Sequence, residues 1–232
     1  MKLPRPLYPG ALIRRYKRFL ADVELDGGET VTAHCPNSGS MKGCAVPGGR
    51  VLLSRSGNPK RKLGYTWELA QVNGSWAGIN TGLPNRLAAE AIESGIIPEL
   101  AGYDSIRPEV KYGKDSRIDL LLSGPRGLCY VEVKNVTLVE GSKALFPDAE
   151  TLRGRKHLKE LMREVRDGNR GVIFFVVQRA DARTLAPADA IDPEYGRLLR
   201  LAVKSGVEAL AWQADVTPEE IRLVRPLEVI LD

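Results

Sequence analysis

Two carboxylates and a lysine stand at a spacing that suits phosphate chemistry. Asp119 breaks an apolar run, Arg117-Ile118-Asp119-Leu120-Leu121-Leu122. A second run of strand character follows, Leu128-Cys129-Tyr130-Val131-Glu132-Val133-Lys134. Ser123-Gly124-Pro125-Arg126-Gly127 between them reads as a turn, so the pair reads as a β-hairpin. Side chains alternate faces along a strand, which sends Glu132 and Lys134 one way and Val131 and Val133 the other. With Asp119 opposite Glu132, the register sets Leu120 against Val131 and Ile118 against Val133. One face is then apolar, and the other gathers Asp119, Glu132 and Lys134. Two acids and an amine at one spot are costly to bury unless they are paired or hold a metal. Oxygen ligands favour Mg²⁺, with Mn²⁺ as the alternative.

This arrangement is that of a metal-dependent nuclease. Mg²⁺ on Asp119, Glu132 and the Val133 carbonyl would bind a scissile phosphate and lower the pKa of a water. Lys134 would position that water or steady developing charge. Glu90, on a preceding helix, is a candidate additional ligand. The competing reading is an exposed edge hairpin whose charges form solvated ion pairs. An acid within an otherwise apolar strand favours the metal site.

The elements that must position these residues fall into two textures. Up to residue 80 the chain reads as short strands and turns, with Asp26-Gly27-Gly28-Glu29 a hairpin turn. About five strands without a long helix predict a small antiparallel barrel of OB type. Beyond it, helical spacing covers Asn85 to Ser94, Asp148 to Asp167 and Glu194 to Lys204. Val172 to Gln178 reads as a central strand and Val207 to Trp212 as another. Thr217-Pro218-Glu219-Glu220 reads as a capping box opening a last helix. The expected fold is mixed α/β: a five-stranded OB-like barrel over 1–80, then an α/β domain with a mixed central sheet over 81–232.

Charge is distributed to match. The 232-residue chain carries a net +5. Residues 1–80 hold 12 Lys and Arg against 5 Asp and Glu, and the remainder holds 22 against 24. A basic half beside a carboxylate-bearing half suits a partner with a phosphate backbone. Arg14, Arg15, Lys17 and Arg18 interleave with Tyr16 and Phe19, as a groove with stacking platforms requires. Lys60, Arg61 and Lys62 extend the basic surface, and Lys156 opens the helix after the hairpin. His157 beside it reads as a surface or packing histidine, not a base. The three cysteines, Cys35, Cys44 and Cys129, form no paired framework and fit a reducing compartment. His34, Cys35 and Cys44 lack the spacing and the fourth ligand of a zinc site. No run is long and apolar enough for a membrane span, and no signal core follows the N-terminal charges, so a cytoplasmic protein is expected.

The chain resembles the sugar fermentation stimulation protein A family. The resemblance runs nearly end to end. It is carried by Ile13-Arg14-Arg15-Tyr16-Lys17-Arg18-Phe19-Leu20-Ala21-Asp22-Val23, by His34-Cys35-Pro36-Asn37-Ser38-Gly39-Ser40-Met41 and by Asn58-Pro59-Lys60-Arg61-Lys62-Leu63. Phe146-Pro147-Asp148-Ala149, Arg153-Gly154 and Lys156-His157-Leu158 add to it. It implies DNA binding, an N-terminal OB-fold and a restriction-endonuclease-like domain of the PD-(D/E)xK type. Asp119 then takes the place of that motif's first aspartate, and Glu132 and Lys134 that of its (D/E)xK. The motif's proline is replaced by Ile118. Many enzymes of this architecture act as homodimers. The other reading that the resemblance allows is a non-catalytic DNA-binding protein, or a regulator of sugar-metabolism genes, whose nuclease-like fold is idle.

Overall fold

The structure is a computed structural model that describes residues 1–112 and 116–232. Six N-terminal strands form first: β1 (Leu7–Tyr16), β2 (Leu20–Leu25), β3 (Thr30–His34), β4 (Arg50–Arg55), β5 (Tyr65–Val72) and β6 (Ser75–Gly78). Their order is β3-β2-β1-β4-β5-β6. A short parallel pairing of Ala33 with Tyr65 and His34 with Thr66 joins β3 to β5 and closes five strands into a barrel. The expected barrel is therefore the one that forms. Leu12, Val23, Leu53 and Trp67 fill it, and the buried Trp67 indole donates to the Leu69 carbonyl at 2.9 Å. β1 serves both β2 and β4, and it does so at Gly10. A Cβ there would lie 2.5 Å from the Glu24 carbonyl oxygen.

The C-terminal part contains α1 (Pro84–Glu93), β7 (Ser105–Tyr112), β8 (Ser116–Gly124), β9 (Gly127–Val136), β10 (Leu138–Glu140) and β11 (Lys143–Phe146). Next come α2 (Leu152–Arg166), β12 (Arg170–Val177), β13 (Thr184–Pro187), α3 (Pro193–Lys204), β14 (Glu208–Val216) and β15 (Ile221–Val229). The strands make one mixed sheet in the order β10-β11-β13-β15-β14-β12-β9-β8-β7. β12 lies between β9 and β14 and runs parallel to both. Its eight residues are nearly all buried, as a strand covered on both faces must be. Leu87, Ala88, Ala91 and Ile92 of α1 pack on Leu120, Val131 and Phe174. Leu158 and Leu161 of α2 and Leu198 and Leu199 of α3 cover Ile173 and Phe175 on the opposite face.

Helix ends follow local chemistry. The Thr151 hydroxyl accepts from the Gly154 N–H at 3.0 Å and caps α2. Asp192 caps α3 through the Tyr195 N–H at 2.8 Å and also accepts from the Thr151 N–H at 2.9 Å. One carboxylate thus ties the starts of both helices.

The segment Thr217 to Glu220 corrects an expectation. It opens no helix. The Thr217 hydroxyl does accept from the Glu219 and Glu220 N–H groups, the local bonds of a capping box. The chain then returns as β15, because Ile221, Leu223 and Leu227 are buried while Arg222, Val224 and Pro226 are exposed. That period of two selects a strand. The N-terminus also departs from a simple division of the chain. Met1 and Leu3 bond to this turn, through Ile221 N–H to the Met1 carbonyl at 2.9 Å and Leu3 N–H to the Glu219 carbonyl at 3.1 Å.

Candidate active site at the β8–β9 hairpin

The hairpin aligns Leu120 with Val131, Leu121 with Tyr130 and Leu122 with Cys129, the register read from the sequence. The ladder stops there. Val110 pairs with Ile118 and Pro108 with Leu120, and the skipped Glu109 has a φ of 55°. β8 therefore kinks at Asp119. Ile118 joins the cluster beneath α2 and α3, whereas Leu120 packs toward α1. This corrects the expected pairing of Ile118 with Val133. The Val133 N–H instead donates to Asp119 Oδ2 at 2.7 Å. The Asp119 side chain thus occupies the position a backbone carbonyl would hold. Asn85 Nδ2, in the first turn of α1, donates to Asp119 Oδ1 at 2.9 Å.

Glu132 and Lys134 share a face, directed at α2. Glu132 is 1% exposed. Lys134 Nζ donates to Glu132 Oε1 at 2.5 Å, and His157 Nδ1 contacts the same oxygen. Lys134 Nζ lies 3.3 Å from His157 Nδ1. On the far side of the ring, Arg153 Nε donates to His157 Nε2 at 3.3 Å. A ring nitrogen that accepts carries no proton, so this contact assigns the neutral imidazole proton to Nδ1. His157 is then a donor to Glu132.

Burial, reinforced by the charge of Glu132, pushes the Asp119 carboxyl up to about 6 against Lys134, the Val133 N–H and Asn85. Burial also pushes Glu132 up, but the bond from His157 and the charge of Lys134 outweigh it and hold Glu132 below the usual range. Neighbouring acids with pKa values driven apart make the pair a functional-site candidate.

The donor set suits a cation. Glu132 Oε2 is buried and has no hydrogen-bond partner. Unpaired carboxylate oxygens at such depth are costly. Within a strand the N–H and C=O of one residue point to the same edge, so the Val133 carbonyl aims where its N–H meets Asp119. Among the described residues no three His, Cys, Asp or Glu side chains cluster as a metal cage. The donors are two carboxylates with backbone oxygen, which fits Mg²⁺, an ion that keeps several waters.

The site opens into a cleft of about 790 Å³ between the barrel and the α/β part. Asp119, Glu132, Val133 and Lys134 line it on one side, and Arg15, Arg18 and Asn37 to Ser40 on the other. Arg15 turns inward and donates to the carbonyls of Asn37, Gly39 and Ser40 at 2.8, 2.9 and 3.2 Å. Arg18 lines the mouth, and Arg14 pairs with Asp22 at 2.8 Å. Lys17 is exposed. Lys60, Arg61 and Lys62 are exposed on the loop between β4 and β5 and do not line the cleft. Lys156 points outward, 3.7 Å from Glu160.

Glu90 is not brought to the site. It is exposed and pairs with the Met1 amine at 3.1 Å and Arg86 at 3.3 Å. The face of α1 turned to the hairpin carries Asn85 instead. Asn85, Arg153 and the inward role of His157 were not read from the sequence. The spacing of His157 with Leu158 and Leu161 is a signal that could have placed it near the packed face, but its partner lies on a distant strand.

Known proteins share this architecture. The family model described as "SfsA N-terminal OB domain" matches residues 13–79. The model "Sugar fermentation stimulation protein RE domain" matches residues 82–220. Proteins named sugar fermentation stimulation protein homolog are 72% identical in Pelobacter propionicus, over the full length of both chains. They are 71% identical in Geobacter sulfurreducens, over 99% of each chain. A solved structure, SfsA of Pyrococcus furiosus in complex with Ca²⁺, superposes with a TM-score of 0.90 at 30% identity. It covers 99% of this chain and 98% of its own.

Proposed function

This chain belongs to the sugar fermentation stimulation protein family, and from that footing we propose a DNA-binding protein that hydrolyses phosphodiesters at Asp119, Glu132 and Lys134 with bound Mg²⁺ or Mn²⁺. The observation that carries the reading is the orphaned Glu132 Oε2, buried beside Asp119 at the floor of a cleft shared with the barrel. The Ca²⁺ held by the Pyrococcus furiosus relative supports an oxygen-seeking cation. A divalent ion on Asp119, Glu132 and the Val133 carbonyl would supply charge neutralisation for the phosphate and acidify a water.

The chain's own residues do the positioning. Asn85 and the Val133 N–H fix the Asp119 carboxylate. His157 engages Glu132 through Oε1, which leaves Oε2 without a partner. Lys134 has three N–H donors. One is committed to Glu132, and another can meet a non-bridging phosphate oxygen as its charge grows. The exposed cations of the barrel grip backbone phosphates without base readout.

The test is incubation with Mg²⁺ or Mn²⁺ and single-stranded, duplex and branched DNA, beside Asp119→Ala. The expected result is cutting that falls at least about a hundredfold in the variant. Equal cutting by both proteins would reveal a contaminant. No cutting of any substrate would overturn the enzymatic reading and leave a binder. For the barrel surface, charge reversal at Arg61 and Lys62 is expected to lower DNA affinity and to flatten its salt dependence by about one unit for each phosphate no longer neutralised.

A further inference from the structure

The two walls of the cleft are locked to one another. The barrel loop from Asn37 to Met41 is pinned from behind by Arg15. Asn37 donates to the Ile79 carbonyl at 3.1 Å and accepts from the Gly39 N–H at 2.8 Å. From the front, Asp148 of the α/β part accepts from the Met41 N–H at 3.1 Å and the Ser40 hydroxyl at 3.4 Å. A Cβ on Gly39 would sit 2.4 Å from Asp148 Oδ2, so the approach is as close as the backbone allows. Lys42 pairs with Glu140 at 2.8 Å, and Thr81 bonds the Pro36 carbonyl through both its N–H and its hydroxyl. Widening the cleft would break the contacts of Asp148 and Glu140 that cross it.

The volume of about 790 Å³ is that of a small-ligand pocket. An opening of this kind can take a single strand with its bases splayed out.

Two exposed apolar side chains neighbour cleft-lining residues, one on each wall. Phe19 follows Arg18 on the barrel wall and is 50% exposed. Leu152 lies between the cleft-lining Thr151 and Arg153 on the other wall and is 76% exposed. Packing explains neither residue. Lys17 and Arg18 hold φ values of 48° and 62°, the left-handed pair that a tight turn between β1 and β2 uses. Here Arg15 Nε bonds the Arg18 carbonyl at 3.2 Å, and the Cys35 N–H bonds that of Phe19 at 2.8 Å. The turn is thus held with its ring in solvent.

We propose that this cleft selects single-stranded DNA, with Phe19 and Leu152 packing on unstacked bases at opposite lips and Arg18 and Arg153 meeting phosphates between them. The proposal rests on the nucleic-acid reading above and adds the form of the substrate. Apolar wedges and aromatic platforms flanked by cations are the general means of holding unpaired bases.

Fluorescence anisotropy with labelled oligothymidylate and the matching blunt duplex, in Ca²⁺, tests it. The single strand is expected to bind at least about tenfold more tightly. Phe19→Ala and Leu152→Ala should each weaken single-strand binding about three- to tenfold and barely move the duplex. Leu201→Ala, an exposed leucine on α3, should change neither. Equal affinity for the two forms, or unaltered single-strand binding in both lip variants, would overturn the proposal while leaving a DNA-binding protein intact. Failure to bind either form would overturn the functional reading and this inference together.

Discussion

His157 holds Glu132 by one oxygen and thereby decides which oxygen is left without a partner. Its donor is Nδ1–H, a choice made by Arg153 on the other nitrogen. Asparagine can present an N–H close to the Nδ1 position, whereas glutamine presents one near Nε2. His157→Asn is therefore expected to keep Mn²⁺ affinity within about threefold, and His157→Gln to lose about tenfold or more, as read by calorimetric titration. Equal loss in both variants would contradict the assigned tautomer. Asp119 supplies a pH signature. Its carboxyl rises from the ordinary 3.8 to about 6 on folding, chiefly through burial. The folded state therefore favours the protonated acid. Stability from this group is complete below pH 4 and is lost as pH rises through 6. Asp119→Asn removes the penalty but offers one acceptor where two donors meet, so its stability relative to the parent, without cation, should rise by about 2–3 kcal/mol between pH 4 and pH 8. Urea-unfolding midpoints taken with a chelator read that rise. A difference independent of pH would point to packing instead.

At the scale of elements, the hairpin was legible because its alternation is strict. Period-two patterning put Glu132 and Lys134 on one face, and the apolar run around Asp119 marked it as an outlier. What alternation does not reveal is the kink, since the skipped Glu109 lies on a neighbouring strand. The phase of α1 was equally hidden. Several polar residues lie off its apolar stripe, and packing alone decides that Asn85 meets the hairpin while Glu90 meets the N-terminus. Thr217 makes the opposite point. Its capping bonds form as local chemistry dictates, but the buried Ile221, Leu223 and Leu227 impose a strand after it. Short strands such as β10 and β13 carry too few residues for a period to register. The loop from Asn37 to Met41 is one of the elements that join the barrel to the α/β part. Gly39→Ala is expected to cost about 1–3 kcal/mol and to raise amide exchange from Asn37 to Met41. Adding Asp148→Ala should recover part of that loss, because the clash goes with the carboxylate. A fully additive double variant would show that the two residues do not meet.

The whole molecule combines a basic barrel with an acidic pocket. The barrel half has a net charge of +7 and the rest −2, as the proposed division between backbone capture and cation binding requires. Among the described residues no helix is long and apolar enough to cross a membrane. The domain order, the barrel and the mixed sheet were readable from strand spacing and helix signals. The cleft was not, because its walls come from both halves and are set by contacts between residues far apart in the chain, such as Asp148 with Ser40 and Met41. The claim on which this account turns is that Asp119 and Glu132 share a divalent cation. Anomalous difference density from crystals soaked in Mn²⁺ tests it most directly. A single strong peak in contact with the Asp119 carboxylate and Glu132 Oε2 is the expected result. Density that is absent there, or that stands only elsewhere on the surface, would contradict it.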